Sequence, residues 1–400
     1  MENNGDDLNT AEEKKVPEEQ GDNTLARLLR HWHGKTEEEQ RAHLDKLAKR
    51  RMEERVREKM AEFAEELAID EYKNFMSHKN PRIKTIYTPK MSLDPGDITG
   101  YTQSPAKPKL FMEYLKKKDL IKYLDIEEKF PLLERDDFYV AHTREMVDNF
   151  FDNGKTSKIL HIKWTPEYAE TVKYCNAAMY AAIKSAIQNP GTISFIPATG
   201  FHHANPTRSA LFCAFSGQVI ASMKIYKEYG LCGAYIDLDG HYGNSIDNSR
   251  EFVKDIDKAI SPVCGNINII QRHQKYLDEL KENLDILRVE IAEGRINYVV
   301  FSQGADSHEW DELASQLSTE EWKEAARMVF RFIGELQEEI HRQIPLIITL
   351  CGGYRRDDYN SVLSLHATNL VIGLNTLCGQ EIDYKTEVMP RQTPQDGSRQ

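Results

Sequence analysis

The sequence contains no run of about 18 apolar residues, which is the length that a transmembrane helix needs. Its N-terminus is acidic, whereas a secretory signal peptide begins basic and continues apolar. The six cysteines are scattered and form no Cys-x-x-Cys pair, so we expect reduced thiols rather than a disulfide framework. A basic excess is also missing, because 52 Lys and Arg residues face 64 Asp and Glu residues, for a net charge of −12. These absences predict a cytoplasmic protein that neither enters a membrane nor binds nucleic acid directly.

The two ends of the chain differ in composition from its centre. Residues 1–23 hold eight acids, two lysines and almost no large apolar side chains, which predicts a disordered acidic tail. Residues 24–80 predict a helical extension, because apolar residues recur there at spacings of three and four and form one stripe. The stripe consists of Met52, Val56, Met60, Phe63 and Leu67. We expect helix 36–78 either to pack on its own domain or to form the interface of a homo-oligomer or of a complex with a partner protein. Residues 381–400 are polar and predict a flexible C-terminal tail.

Residues 81–380 predict one catalytic domain. Apolar runs that predict strands lie at 84–87, 192–197, 232–239, 296–302 and 345–350. Longer helical patterns lie at 107–118, 138–151, 168–188, 215–229, 249–260, 270–294, 319–343 and 358–374. Apolar strands separated by long helices are typical of a parallel sheet that is covered on both faces. The expected fold class is therefore α/β, a single three-layer α/β/α domain with a mostly parallel central sheet. Its ligand site should lie at the carboxyl ends of the strands.

Chemistry-bearing side chains follow two of these strands in a pattern that favours a metal site. Alternation along a strand places Asp237, Asp239 and His241 on one face. Two carboxylates and an imidazole beside a core are costly unless they bind a cation or form charged pairs. The alternative for this motif alone is a surface loop with solvated acids. Asp306, after another apolar strand, completes an Asp-His-Asp set that leaves a position open, as in catalytic zinc sites. Fe²⁺ or Co²⁺ would suit the same oxygen and nitrogen ligands.

The other two strand ends carry an imidazole pair and a tyrosine. His202 and His203 follow a strand and a glycine, where imidazole suits general acid or base work. The alternative is one packed ring and one solvated ring. Tyr354 follows two glycines, so its hydroxyl could reach a developing oxyanion while Gly353 lets the backbone approach a substrate. A plain turn tyrosine is the competing interpretation.

Together, these blocks resemble the signature of the zinc-dependent histone deacetylases. The blocks are Gly-Phe-His202-His203-Ala, Asp237-Leu-Asp239-Gly-His241-Tyr-Gly-Asn244, Gln-Gly-Ala-Asp306-Ser and Gly-Gly353-Tyr354. That family includes acetylpolyamine amidohydrolases and has the arginase–deacetylase fold. The resemblance covers roughly residues 83–378, and the blocks stand in the same order as in the family.

The resemblance implies a role for each matched residue. Asp239, His241 and Asp306 would bind Zn²⁺. His203 would be the general base, and His202 would be its partner.

Two further matched residues would orient this pair. Asp237 would orient His202, and Asn244 stands where His203 would find its own partner, as in class II and polyamine enzymes.

Around the substrate, Tyr354 would donate a hydrogen bond to the carbonyl oxygen, and Phe212 would line the acyl-lysine channel with Gly353. Leu211 stands where many relatives carry glycine, which implies a bulkier channel wall and a different acyl preference. In the family a strand between the positions of His241 and Asp306 supplies a structural K⁺ site, and the sequence shows no such strand, which counts against K⁺ here.

The expected function is zinc-dependent hydrolysis of an N-acyl amide, most simply an acetyl amide, of lysine or a related amine. An acylated-lysine protein and an acetylated polyamine or other small molecule both stay open as substrates. A binding role is the alternative from another class, namely a non-catalytic metal-binding scaffold that uses the N-terminal helix. An arginase-type enzyme is disfavoured, because Ala305 and Ser307 flank Asp306 without the additional carboxylate that a second metal needs.

Overall fold

The computed structural model describes residues 83–98, 102–154, 162–189 and 191–391, and six residues near the N-terminus. These six are Thr36, Glu39, Ala42, Lys46, Arg50 and Arg51, of which all but Thr36 are helical. The chain divides into two units, Met1–Leu67 and Ala68–Gln400. The predicted acidic tail, the apolar stripe and most of the predicted extension lie outside the described residues. The domain boundaries therefore stay a prediction.

A seven-stranded sheet forms the centre of the second unit, and all its strands are parallel. The strands are β1 (Ile83–Ile86), β2 (Leu124–Glu127), β3 (Ser194–Ile196), β4 (Gly233–Leu238), β5 (Asn266–Asn268), β6 (Tyr298–Gln303) and β7 (Leu346–Leu350). Their order across the sheet is β2-β1-β3-β7-β6-β4-β5. The four strands that precede the predicted site residues, β3, β7, β6 and β4, are thus consecutive neighbours. Their carboxyl ends meet at one edge of the sheet.

Helices cover the sheet and are α1 (Lys107–Lys117), α2 (Arg135–Tyr139), α3 (Arg144–Asn153), α4 (Pro166–Gln188), α5 (Gly217–Tyr229), α6 (Ser245–Ser249), α7 (Ile256–Ala259), α8 (His273–Ala292), α9 (Thr319–Ile340) and α10 (Tyr359–Leu377). Local sequence explains where the long helices begin. Pro166 opens α4, and the Thr165 hydroxyl caps it by accepting a hydrogen bond from the Tyr168 N–H. Ser318 and Glu321 form a capping box at the start of α9.

The core lies on both faces of the sheet, which confirms the predicted α/β class. Alternate residues of β6 belong to two different hydrophobic clusters, with Val299 and Phe301 in one and Tyr298 and Val300 in the other. Because side chains alternate along a strand, each cluster fills one side of the sheet. Of the helices within the described residues, none is both long and apolar enough to cross a membrane.

Two edge strands were not predicted. β2 has exposed residues in its middle, and β5 reads Asn-Ile-Asn, so neither shows a continuous apolar run. β5 lies between His241 and the predicted strand 296–302, in a part of the chain where sequence analysis identified no strand, and it pairs with the end of β4.

The predicted helix 138–151 is wrong as a single element. It is divided between α2 and α3, because Thr143 leaves the helical conformation and caps α3 through the Met146 N–H. The pattern at 249–260 likewise yields only the short helices α6 and α7.

Candidate active site

Asp239, His241 and Asp306 converge where β4 and β6 end. Each offers one ligand atom, and these three atoms lie within 4.8 Å of one another. His241 Nδ1 is 2.8 Å from Asp306 Oδ2 and 3.2 Å from Asp239 Oδ1. Asp306 is fully buried, and Asp239 is almost so. The structure thus brings all three predicted metal ligands together.

Backbone amides hold both carboxylates in place. The Gly352 N–H donates to Asp239 Oδ2 at 2.6 Å, and the Gly240 N–H donates to Asp306 Oδ1 at 3.1 Å. Gly352 lies so close to the cluster that an added Cβ would collide with the carboxylates of Asp239 and Asp306. This explains the glycine after β7, because only a residue without a side chain lets the backbone approach the ligands.

The charges of this cluster fit a divalent cation. Burial, and then the Asp239 carboxylate, raise the pKa of Asp306 to about 7. Burial also disfavours the charged form of Asp239, but the positive charges of His202 and His241 outweigh it and hold the pKa of Asp239 well below its usual range. Hydrogen bonds with Asp239 and Asp306 raise the pKa of His241 to about 10. Two buried carboxylates therefore need a positive charge beside them, and without a metal ion a proton on His241 supplies it.

A second group could also hold a metal ion, namely His202, Asp239 and Cys351. Its histidine is already engaged, since His202 Nδ1 lies 2.9 Å from Asp237 Oδ2. Burial, together with the nearby carboxylates, raises the pKa of the Cys351 thiol well above its usual value. The Asp239, His241 and Asp306 set is the better candidate, because it needs no existing pair to be broken and no buried thiol to ionise.

The two predicted catalytic imidazoles lie beside this cluster, each with the partner that sequence analysis expected. The centroids of the His202 and His203 rings are 4.1 Å apart. His202 faces Asp237, and His203 Nδ1 lies 3.4 Å from Asn244 Oδ1. His203 also approaches His241, with 6.3 Å between the ring centroids.

The two imidazoles differ in charge because their partners differ. Burial favours the neutral form of His202, but the charges of Asp237 and Asp239 outweigh it and raise the pKa of His202 to about 9. Burial, and then the positive charge of His202, lower the pKa of His203 to about 3. His203 is therefore neutral at pH 7 and able to accept a proton, whereas His202 is charged and paired.

Tyr354 and Phe212 complete the described site. The centroid of the Tyr354 ring lies 5.4 Å from that of Phe212 and 6.0 Å from that of His241. Burial, and then the charges of Asp239 and Asp306, raise the pKa of Tyr354 well above its usual value, so its hydroxyl keeps its proton. Gly353 has a φ of +134° and lies against Ala305 and Val362. Phe212 is thus the predicted channel residue that contacts Tyr354.

Sequence analysis missed two charged residues that hold the Tyr354 segment. Lys107, at the start of α1, is completely buried and donates to the backbone oxygens of Cys351 and Gly352, the latter at 3.1 Å. Asp311 is also buried and accepts the Tyr354 N–H. In the sequence, Asp311 stands out only because it is an acid five residues after Asp306. Nothing near Lys107 in the sequence indicates that Lys107 is buried.

Comparison with known proteins gives a consistent result. Residues 101–256 match the sequence model of the histone deacetylase domain. The match includes the imidazole pair, Asp239 and His241, and it ends before Asp306 and Tyr354. A comparison with curated proteins finds no match.

Among solved structures, the chain is similar to the crystal structure of the HDA15 HD domain. The TM-score is 0.57 at 13% identity, and the alignment covers 76% of this chain and 90% of that one. At this identity the similarity shows a common fold. Together with the match over residues 101–256, it confirms the resemblance to the histone deacetylase family that the four sequence blocks predict.

Proposed function

We propose that this protein is a zinc-dependent amidohydrolase that removes an acyl group, most simply acetyl, from an acylated lysine or a related amine. The domain match supports a deacetylase or amidohydrolase in general terms. The observation that carries the specific proposal is the convergence of Asp239, His241 and Asp306 beside His203 and Tyr354.

The three clustered residues would hold the metal ion. Two carboxylates and one imidazole balance a divalent charge and leave a position open for substrate, as in catalytic zinc sites. Bound there, a divalent ion would supply Lewis-acid chemistry toward the amide carbonyl. Fe²⁺ and Co²⁺ accept the same ligands, and metal analysis of the purified protein distinguishes them.

In the proposed reaction, His203 accepts a proton from the attacking water. Its neutral state and its place beside the metal ligands support this role. The water oxygen first bonds to the amide carbon, which places negative charge on the carbonyl oxygen, and the carbon–nitrogen bond then breaks. The leaving nitrogen receives a proton from a protonated histidine, so the products are a carboxylate, acetate in the simplest case, and a free amine.

Two other residues stabilise charge during this reaction. The Tyr354 hydroxyl donates a hydrogen bond to the carbonyl oxygen as negative charge develops there. His202, paired with Asp237, places a positive charge beside His203 and keeps the base in position.

Release of the carboxylate by the zinc-loaded full-length protein tests the proposal. An acetyl-lysine peptide and an acetylated diamine serve as substrates, and Tyr354→Phe is compared with wild type. We expect Tyr354→Phe to lower kcat by about 100-fold or more, with zinc still bound, because one oxyanion donor is worth roughly that factor. Tyr229 is the last residue of α5, and its hydroxyl accepts a hydrogen bond from the Gln188 side chain, so Tyr229→Phe is the matched control and should behave as wild type.

The competing hypothesis is a metal-binding scaffold without turnover. It predicts that wild type binds zinc and releases no carboxylate from either substrate. Release that is equal in wild type and Tyr354→Phe would contradict the catalytic assignment of Tyr354.

A further inference from the structure

Leu211 has an unusual backbone conformation. Among the described residues, six that are not glycine have a positive φ, and they are Asp119, Leu211, Asp255, His273, Ser315 and His341. Asp and His tolerate the left-handed region, because a short polar side chain can bond locally there. Leu211, with a φ of +50°, is the one large apolar residue of the six.

Neither the turn nor the core explains a leucine at this position. Ala210 and Cys213 exchange backbone hydrogen bonds of 3.1 and 2.9 Å, so Leu211 and Phe212 form the tip of a tight turn. The Leu211 side chain is 39% exposed. Glycine would make this turn without strain and without exposing an apolar group. A strained and exposed apolar residue beside a site indicates contact with a ligand.

Two further exposed apolar side chains stand on the neighbouring loops of the site. Tyr242, which follows the metal-ligand candidate His241, is 49% exposed. Leu313 is 43% exposed, and its N–H donates to Asp311, the residue that holds Tyr354. The two loops touch, because an added Cβ on Gly240 would overlap the Cβ of Ala314. Leu211, Tyr242 and Leu313 thus flank the site on three strand-end loops, and we name them the apolar collar.

The acids next to the collar are engaged with protein groups. Asp247 accepts from the Tyr242 hydroxyl and from Asn266, both at 2.7 Å. Glu312 accepts from the Arg356 N–H at 2.9 Å and from its guanidinium at 3.3 Å. A polyamine carries several positive charges and needs carboxylates to receive them. The three collar side chains themselves carry no carboxylate and offer mainly apolar area, which suits an uncharged side chain.

We propose that the collar selects peptide substrates in which an apolar residue flanks the acylated lysine, and that it disfavours acetylated polyamines. The inference rests on the proposed function for the identity of the site. It adds Leu211, Tyr242 and Leu313 as specificity residues, with Leu211 kept at a cost in backbone strain.

Binding affinity tests the collar independently of turnover. Two fluorescent peptides that carry a non-hydrolysable analogue of acetyl-lysine, one flanked by leucines and one by serines, are titrated with the zinc-loaded full-length chain, and anisotropy gives each Kd. The corresponding non-hydrolysable analogue of an acetylated diamine competes as a third ligand. We expect wild type to bind the leucine-flanked peptide roughly tenfold more tightly than the serine-flanked one, which is a usual value for a small apolar contact.

Leu211→Gly should reduce the ratio of the Kd values of the serine-flanked and leucine-flanked peptides to about twofold, because the apolar contact is lost. It should also raise the melting temperature, because the backbone strain is relieved. His341→Gly is the matched control, since it relieves a φ of +49° at the end of α9 without touching the collar. It should leave the ratio unchanged. Leu313→Ser provides a second collar variant with an ordinary backbone, and it should reduce the ratio as well.

The outcomes separate this inference from the proposed function. Three outcomes would overturn the proposed selectivity of the collar. They are equal affinities of wild type for the two peptides, tighter binding of the diamine, and an unchanged Kd ratio in both collar variants. A ratio that falls in the collar variants, with no carboxylate released by wild type, would support the collar and count against the proposed function alone.

Discussion

Asp311 accepts a hydrogen bond of 2.7 Å from the backbone N–H of Tyr354. The two residues come from different loops, one after β6 and one after β7, and both are buried. Asp311 also accepts the Leu313 N–H at 2.9 Å, so one carboxylate fixes its own loop and the start of the tyrosine segment. The orientation of the predicted oxyanion donor therefore depends on a buried carboxylate from another loop.

The first prediction concerns this hydrogen bond. Asp311→Ala should lower the free energy of unfolding by about 1.5–3 kcal/mol, since a buried N–H loses a charged acceptor. It should also lower kcat more than it raises KM, because Tyr354 is displaced rather than removed. Asp311→Asn keeps an acceptor oxygen and should restore most of kcat. Urea denaturation and steady-state kinetics measure both effects, and equal kcat for the alanine and asparagine variants would contradict the positioning role.

Lys107 gives the second prediction. Its buried ammonium satisfies two backbone oxygens beside Gly352, and burial lowers its pKa. Lys107→Met leaves both buried oxygens without this donor and should lower the free energy of unfolding by about 1–3 kcal/mol. Lys109→Met is the matched control, since Lys109 is partly exposed and pairs with Asp94. The control should change stability by less than about 1 kcal/mol in the same urea titration. Equal losses in the two variants would show that the buried position has no special importance.

Metal binding gives the third prediction. Zn²⁺ at 100 times its Kd should raise the free energy of unfolding by about 2.7 kcal/mol, because it binds only the folded chain. Asp306→Asn should abolish this increase, as it removes one of the clustered ligands. Asp247→Asn removes a carboxylate that lies outside the cluster, so this variant should show the same zinc-dependent increase as wild type. Thermal denaturation with and without a chelator provides the measurement. A zinc-dependent increase that survives in Asp306→Asn would place the metal elsewhere.

The fourth prediction is a dependence of stability on pH. His142 is buried, with Nδ1 donating to the Asn205 carbonyl at 2.9 Å and Nε2 accepting the Ser216 N–H at 2.9 Å. Both bonds require the neutral ring, and burial lowers the pKa of His142 from 6.5 to about 4. The unfolded chain therefore binds the proton first as the pH falls. The stability that His142 contributes is complete above pH 6.5 and is lost progressively toward pH 4, up to about 3 kcal/mol.

Urea denaturation at pH 7 and pH 5 checks this prediction. Between pH 7 and pH 5, the free energy of unfolding should fall by about 2 kcal/mol more in wild type than in His142→Gln. This amount corresponds to the 1.5 pH units between pH 5 and the usual histidine pKa of 6.5. His273→Gln, which removes an exposed histidine at the start of α8, should keep the wild-type difference. The same pH dependence in wild type and His142→Gln would show that His142 does not control it.

Local sequence was sufficient for the strands that carry the site. β4, β6 and β7 are short apolar runs, so their positions and their polar ends could be predicted from the chain itself. Asp239, His241 and Asp306 could be grouped because carboxyl ends of parallel strands share one edge of a sheet. The edge strands β2 and β5 could not be predicted from the sequence, since a strand at an edge is partly solvated and lacks the continuous apolar pattern.

The sequence by itself determined the α/β class, the predicted catalytic motif and the resemblance of that motif to the histone deacetylases, because these depend on short-range order along the chain. Only the tertiary structure decided which partners complete the site. Lys107 meets Cys351 across 244 residues, and Asp311 meets Tyr354 across 43. The strain at Leu211 is likewise visible only in its φ. Such contacts arise from the order of the strands and from the balance of buried charges, and neither of these leaves a periodic pattern in the sequence.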